Sequence, residues 1–169
     1  MSPAPAHAPL LADRDRLQLQ TEAEAGPGRV IVTDSGRGRF DQLMFSGRHV
    51  LEADEPVEVG GSDAGPGPYD LLLMALGACT SMTLRMYASR KHWPLERVVV
   101  RLVHAKRHGE DCRDCPDKEV LVDHIDRDIE LIGALDAEQR ARLLEIANKC
   151  PVHRTLTSTI VINTSLKAA

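Results

Sequence analysis

Apolar positions first recur in three short clusters. Arg29–Asp34 carries Val30, Ile31 and Val32. After the turn Ser35-Gly36-Arg37-Gly38, Arg39–Ser46 alternates, with Phe40, Gln42, Met44 and Ser46 opposite Leu43 and Phe45. Gly47 and Arg48 turn the chain again into His49–Ala53. Short runs of this kind, separated by glycine turns, predict a three-stranded antiparallel meander. Asp54–Pro68 breaks the pattern with a Gly- and Pro-rich loop.

The period then changes. From Leu71 to Met86 almost every residue is apolar or small, which predicts one long helix. Pro68 suits its first position, where a missing N–H costs nothing, and Asp70 places negative charge at its N-terminal end. A helix apolar nearly all round is expected to be buried on most sides. Ala75, Gly77, Ala78 and Ser81 allow close approach around its single thiol, Cys79. Pro94 forbids continuation past Lys91–Leu95.

Strand alternation returns in Arg97–Lys106, with Val98, Val100, Leu102 and His104 on one face. A polar loop, Arg107–Asp117, leads to Glu119–Leu131. Val120, Val122, His124, Asp126 and Asp128 lie there opposite Leu121, Asp123, Ile125, Arg127 and Ile129. The faces trade apolar character along that strand, so a bulge or a change of partner is expected in it. Asp136 followed by Gln139 has the form of a capping box, and the helix it opens is expected to run to Cys150 and stop at Pro151, with Arg140, Arg142 and Glu145 facing solvent. Thr155–Thr164, rich in Thr, Ile and Val, reads as a final strand. The expected fold is α+β, with antiparallel sheets around two long central helices. Covering the first helix on all sides calls for a second copy, hence an intertwined homodimer. Residues 1–27 read as a flexible arm able to form a short helix over Leu10–Ala25, and 28–169 as one domain.

Net charge is −4, which gives no broad electrostatic case for nucleic acid or an anionic membrane. The run Leu71–Thr80 is shorter than a bilayer span and the N-terminus lacks the form of a signal peptide, so a cytoplasmic protein with no membrane partner is expected. In that compartment four cysteines point to catalysis, metal binding or free thiols more than to structural disulfides. His104, His108, Cys112 and Cys115 form H-x3-H-x3-C-x2-C, a donor set that tetrahedral zinc accepts. The alternatives for that loop are a redox role and two solvent-exposed thiols.

At GPYDLLLMALGACTSM and NKCPVHRTL the chain resembles the OsmC/Ohr family of osmotically induced and organic-hydroperoxide-resistance proteins. The resemblance extends over about Arg29–Ser165 by element order. It implies an intertwined homodimer and a cysteine-based peroxidase acting on organic hydroperoxides without haem, flavin or metal. By the same resemblance Cys79 is the attacking thiol and Cys150 the resolving one, with a dithiol such as a lipoyl group as reductant. The family also implies an arginine steadied by an acid. Arg37 and Arg39 are the candidates for the first, with Arg29 a weaker choice. Where the family carries glutamate this chain has Tyr69, and the neighbouring Asp70 is the nearest acid. Two other readings stand beside the peroxidase: a binding protein for an apolar ligand on the same fold, and a redox or metal sensor using the Cys112–Cys115 loop.

Overall fold

The computed structural model describes residues 28–108 and 121–166. The N-terminal arm, Cys112 and Cys115 lie outside the described residues, as does the side chain of His108. The chain divides into two units, residues 1–71 and 72–169.

In the first unit, β1 (Ile31–Asp34), β2 (Gln42–Ser46) and β3 (His49–Ala53) form the expected antiparallel meander. Leu43 and Phe45 of β2 are buried, with Ile31 packed against them. The loop that follows is held by Asp54. Its buried carboxylate accepts from the backbone N–H groups of Glu55 and Ser62, both at 2.8 Å, and of Ala64 at 3.2 Å. Burial alone would raise this carboxyl, but the three N–H donors outweigh it and hold it below the ordinary range.

The helix α1 spans Pro68–Arg90, beginning at the proline as expected. In the second unit a long hairpin follows, β4 (Leu95–His108) against β5 (Leu121–Gly133). The one register shift falls between Leu95 and Arg97, at the start of β4, not within β5. Cross-strand partners share a face, so Val98, Val100 and Leu102 stand beside Leu131, Ile129 and Arg127. This face packs on α1. A Cβ at Gly77 would come within 2.9 Å of Leu102, so the small residue makes room for the strand.

The burial of α1 differs from expectation. Leu76, Thr80, Leu84 and Ala88 form a single buried stripe, while Met74, Met82 and Met86 are more than half exposed. Leu84 and Ala88 of that stripe pack with residues of the hairpin and of the next helix.

The second long helix is also shorter than expected. α2 covers Ala137–Ala147, opened by the capping box of Asp136 and Gln139. Leu143, Ile146 and Ala147 join Leu84 and Ala88 in the core. Arg140, expected to face solvent, instead donates to the backbone oxygens of Leu131, Gly133 and Leu135 and ties the β5–α2 turn. The chain then breaks at Asn148–Cys150 and restarts as α3 (Pro151–Leu156). A residue preceding proline is driven out of helical geometry, and Cys150 is extended at φ −62°, ψ 138°. Pro151 therefore ends one helix and starts another, a position that suits its missing N–H. The expected strand Thr155–Thr164 is not formed: its first residues belong to α3, and residues 159–166 pair with no strand among the described residues.

Candidate functional site

Two neighbours on α1 carry the site. Thr80 lies on the buried stripe and is 0% exposed, while Cys79, one residue earlier, is half-buried. Cys150, freed from helical geometry by Pro151, turns its sulfur back over the start of α3, where it accepts from the His153 backbone N–H at 3.3 Å. It too is 0% exposed. Thr80 Oγ1 lies 3.8 Å from that sulfur and donates to the Leu76 carbonyl at 2.8 Å. The Cys79 thiol is near enough to Cys150 to help lower its pKa.

The cation here comes from β5. Arg127 donates to Thr80 Oγ1 at 3.0 Å, to Asn148 Oδ1 at 2.8 Å and to the Ala147 carbonyl at 3.4 Å. All three acceptors are neutral, and among the described residues no carboxylate forms an ion pair with this guanidinium. Its charge acts on the Cys150 sulfur. Burial pushes the Cys150 thiol up, but the His153 N–H, the Cys79 thiol, the Thr80 hydroxyl and the Arg127 charge together bring it below the ordinary value. Burial first, and then Arg127, lower the His153 imidazole.

A cavity of about 460 Å³ opens beside this cluster. Leu76, Ile125, Ile129, Leu144 and Leu156 supply apolar wall, while Asp123, Arg127, Asn148, His153 and Thr157 supply polar groups. An apolar pocket with few convergent polar groups is the ordinary form of a small-molecule site.

The candidate arginines and acid are described within the first unit. Arg37, in the first unit, is held by Asp41 at 2.9 Å and Glu52 at 3.0 Å. Arg39 lies over the Phe40 ring. Asp70 accepts from the Gly67 N–H at 3.2 Å, and among the described residues neither arginine is paired with it. Within the first unit the acids paired with Arg37 are Asp41 and Glu52. Of the four metal candidates, Cys112, Cys115 and the His108 side chain lie outside the described residues, and His104 Nε2 is 2.8 Å from Asp123 Oδ1. No group of three potential metal ligands occurs among the described residues.

Arg127 escaped the sequence reading although a signal was present. It stands between Ile125 and Ile129 on the apolar face of its strand, where a cation needs partners.

Fold and site together define an α+β protein built on two thiols between a long helix and the break after a second one. The chain belongs to the OsmC-like protein family, whose model matches residues 60–165. No curated protein matches it in sequence. Among solved structures, a Psychrobacter arcticus 273-4 protein described in terms of osmotic stress and detoxification is 17% identical, with a TM-score of 0.60 over 77% of this chain and 88% of that one. An OsmC-like protein from Mycoplasma pneumoniae is 17% identical, with a TM-score of 0.59 over 76% and 85%. An organic hydroperoxide resistance protein from Legionella pneumophila is 19% identical, with a TM-score of 0.55 over 76% and 89%. At these identities the likeness speaks for the fold.

Proposed function

We infer that the protein is a thiol peroxidase that reduces organic hydroperoxides through Cys79 and Cys150. The observation that carries this reading is the placement of the two thiols near Arg127, which forms no ion pair with a carboxylate among the described residues. Family membership and the hydroperoxide-resistance description of the Legionella relative agree with it.

The Cys79 thiolate attacks the peroxide oxygen farther from the alkyl group. The O–O bond breaks, the alkoxide takes a proton and leaves as alcohol, and Cys79 becomes a sulfenic acid. The Cys150 thiolate attacks that sulfur, hydroxide leaves and is protonated to water, and a disulfide remains. A dithiol returns both cysteines to thiols. The apolar cavity wall suits an alkyl chain, and the guanidinium favours the anionic forms. No metal or organic cofactor enters these steps.

The working unit in this proposal is a cytoplasmic homodimer. Met74, Met82 and Met86 leave an apolar face of α1 uncovered in one chain, and Val161 and Ile162 are more than three-quarters exposed. By length and composition α1 could also cross a membrane, a property that core helices of soluble proteins share. Arg85, which reaches the Glu96 carbonyl at 3.0 Å, favours the subunit interface. Light scattering of the purified chain at micromolar concentration should give twice the chain mass.

Stopped-flow mixing with cumene hydroperoxide tests the reaction. One equivalent should yield a Cys79–Cys150 disulfide by mass spectrometry. Cys150→Ser should stop at the sulfenic acid, and Cys79→Ser should consume no peroxide. A Cys79→Ser protein as fast as the parent would exclude this chemistry. A reduced, dimeric parent inert to peroxide would favour the apolar-ligand reading, which the cavity wall also supports.

A further inference from the structure

We propose that reduction of the Cys79–Cys150 disulfide is directional: the incoming thiolate bonds to the Cys79 sulfur, and Cys150 departs as a thiolate into a pocket prepared for it by Arg127, Thr80 and His153. The proposal rests on the peroxidase reading for the origin of the disulfide, but not for the direction of its opening.

Access is the first ground. Thiol–disulfide exchange needs a free approach to the attacked sulfur, opposite the bond that breaks. Cys150 is 0% exposed, closed in by Thr80 and the turn into α3, whereas Cys79 is half-buried and keeps an open side.

The leaving group is the second. Charge that develops on the Cys150 sulfur finds the His153 N–H at 3.3 Å already in place, and the Thr80 hydroxyl, 3.8 Å away, can turn its proton from the Leu76 carbonyl toward it. Arg127 is positioned by Thr80, Asn148 and the Ala147 carbonyl, none of which neutralises it. A donor held ready where charge appears, as the His153 N–H is, needs no rearrangement at the moment of reaction. The downward shift of the Cys150 thiol agrees, since a more acidic thiol leaves faster. Arg127 acts here through Thr80 and through its field, as a positioning residue.

The exchange balances. A reductant thiolate and the disulfide give a mixed disulfide on Cys79 plus the Cys150 thiolate. The second thiolate of the dithiol then attacks the reductant's own sulfur, frees the Cys79 thiolate and leaves as a cyclic disulfide. Two electrons pass from the dithiol to the cysteine pair.

The test makes the disulfide in the full chain with diamide, so that it does not depend on reactivity toward peroxide. Glutathione is added briefly, acid stops the exchange, and N-ethylmaleimide marks the free thiols before peptide mapping. Glutathione should be found on Cys79 and maleimide on Cys150. Glutathione on Cys150, an even split, or no Cys79–Cys150 disulfide after diamide would overturn the proposal. Arg127→Met should slow the glutathione step about three- to tenfold, with partial recovery in Arg127→Lys. In a Cys79→Ser background Arg127→Met should also move the ultraviolet thiolate titration of Cys150 to higher pH. An unchanged rate and titration would remove Arg127 from the account. A chain that forms this disulfide with diamide but not with peroxide would refute the peroxidase reading alone.

Discussion

Thr80→Val isolates one oxygen at the centre of the site. Valine has nearly the shape of threonine, so at a position 0% exposed it leaves no cavity. What it removes is a hydroxyl that donates to the Leu76 carbonyl at 2.8 Å, approaches the Cys150 sulfur at 3.8 Å and accepts from Arg127 at 3.0 Å. A hydroxyl has one proton, so it cannot serve Leu76 and Cys150 at once. The shorter bond wins while Cys150 is a thiol; a thiolate competes for the proton. The Leu76 carbonyl loses little, because it already accepts within the helix. Arg127 loses more, keeping the Ala147 carbonyl at 3.4 Å and Asn148 at 2.8 Å. A donor deprived of its partner costs about 1–3 kcal/mol when fully buried, and Arg127 is only half-buried, which gives about 1 kcal/mol. For a chain of this size that lowers Tm by about 2–4 °C.

Stability alone would not identify the cause, since Thr80→Ser removes a buried methyl at a similar cost, about 1 kcal/mol. The thiol separates the two variants. In a Cys79→Ser background, the pH dependence of Cys150 alkylation by iodoacetamide should move upward in Thr80→Val and stay near the parent in Thr80→Ser. If the two variants titrate alike, the hydroxyl has no part in holding the thiolate and the reasoning fails.

Other outcomes follow from the same structure. Leu143→Ala, at a site 0% exposed, should cost about 2–5 kcal/mol in urea unfolding; a loss below about 1 kcal/mol would mean that the core closes over the gap. Gly133 has φ +141°, and a Cβ there would lie 2.0 Å from the Pro94 carbonyl, so Gly133→Ala should lower Tm well beyond a surface control. Equal melting of the two would contradict the close approach of β4 and β5. The His153 imidazole is lowered first by burial and then by Arg127, so the unfolded chain binds its proton more readily. Its contribution is therefore present above the unfolded pKa of about 6.5 and is lost as pH falls through the folded value. The urea midpoint should fall on acidification through this window, and fall less in His153→Gln; parallel profiles would show that His153 is not the group responsible.

Much of the fold was legible because its signals are local. The meander needs only short alternating runs and glycine turns, and the capping box of Asp136 and Gln139 spans four residues. The burial of α1 was less legible, since its sequence is apolar on every side and only the chain's other elements select the stripe Leu76, Thr80, Leu84 and Ala88. The pairing of Arg37 with Asp41 and Glu52 depends on strand register, which sets β2 against β3 and cannot be read from any one segment.

The break at Cys150 shows how one residue carries two meanings. Read from its N-terminal side, Pro151 is a stop, and the helix is allowed to run up to the cysteine. Read from its C-terminal side, the same proline is a start, and Cys150 becomes the cap of α3. Only the second reading accounts for the site. A cysteine continuing α2 in helical geometry would have its sulfur directed along the helix surface. As an extended residue ahead of proline, Cys150 instead accepts the His153 N–H and lies against Thr80. Pro151 offers the Ala147 carbonyl no donor four residues on, and that carbonyl accepts instead from the Cys150 N–H and from Arg127, both at 3.4 Å. The missing N–H of Pro151 thus helps to place both the thiol and the cation beside it. Substituting Pro151 by alanine supplies the absent donor, and would be expected to draw α2 forward, pull Cys150 from Thr80 and release Arg127 from one of its three acceptors. Its signature is a rise in Cys150 titration together with gained helicity by circular dichroism, a combination that loss of packing alone would not produce; a rise without gained helix would sink this account of the break.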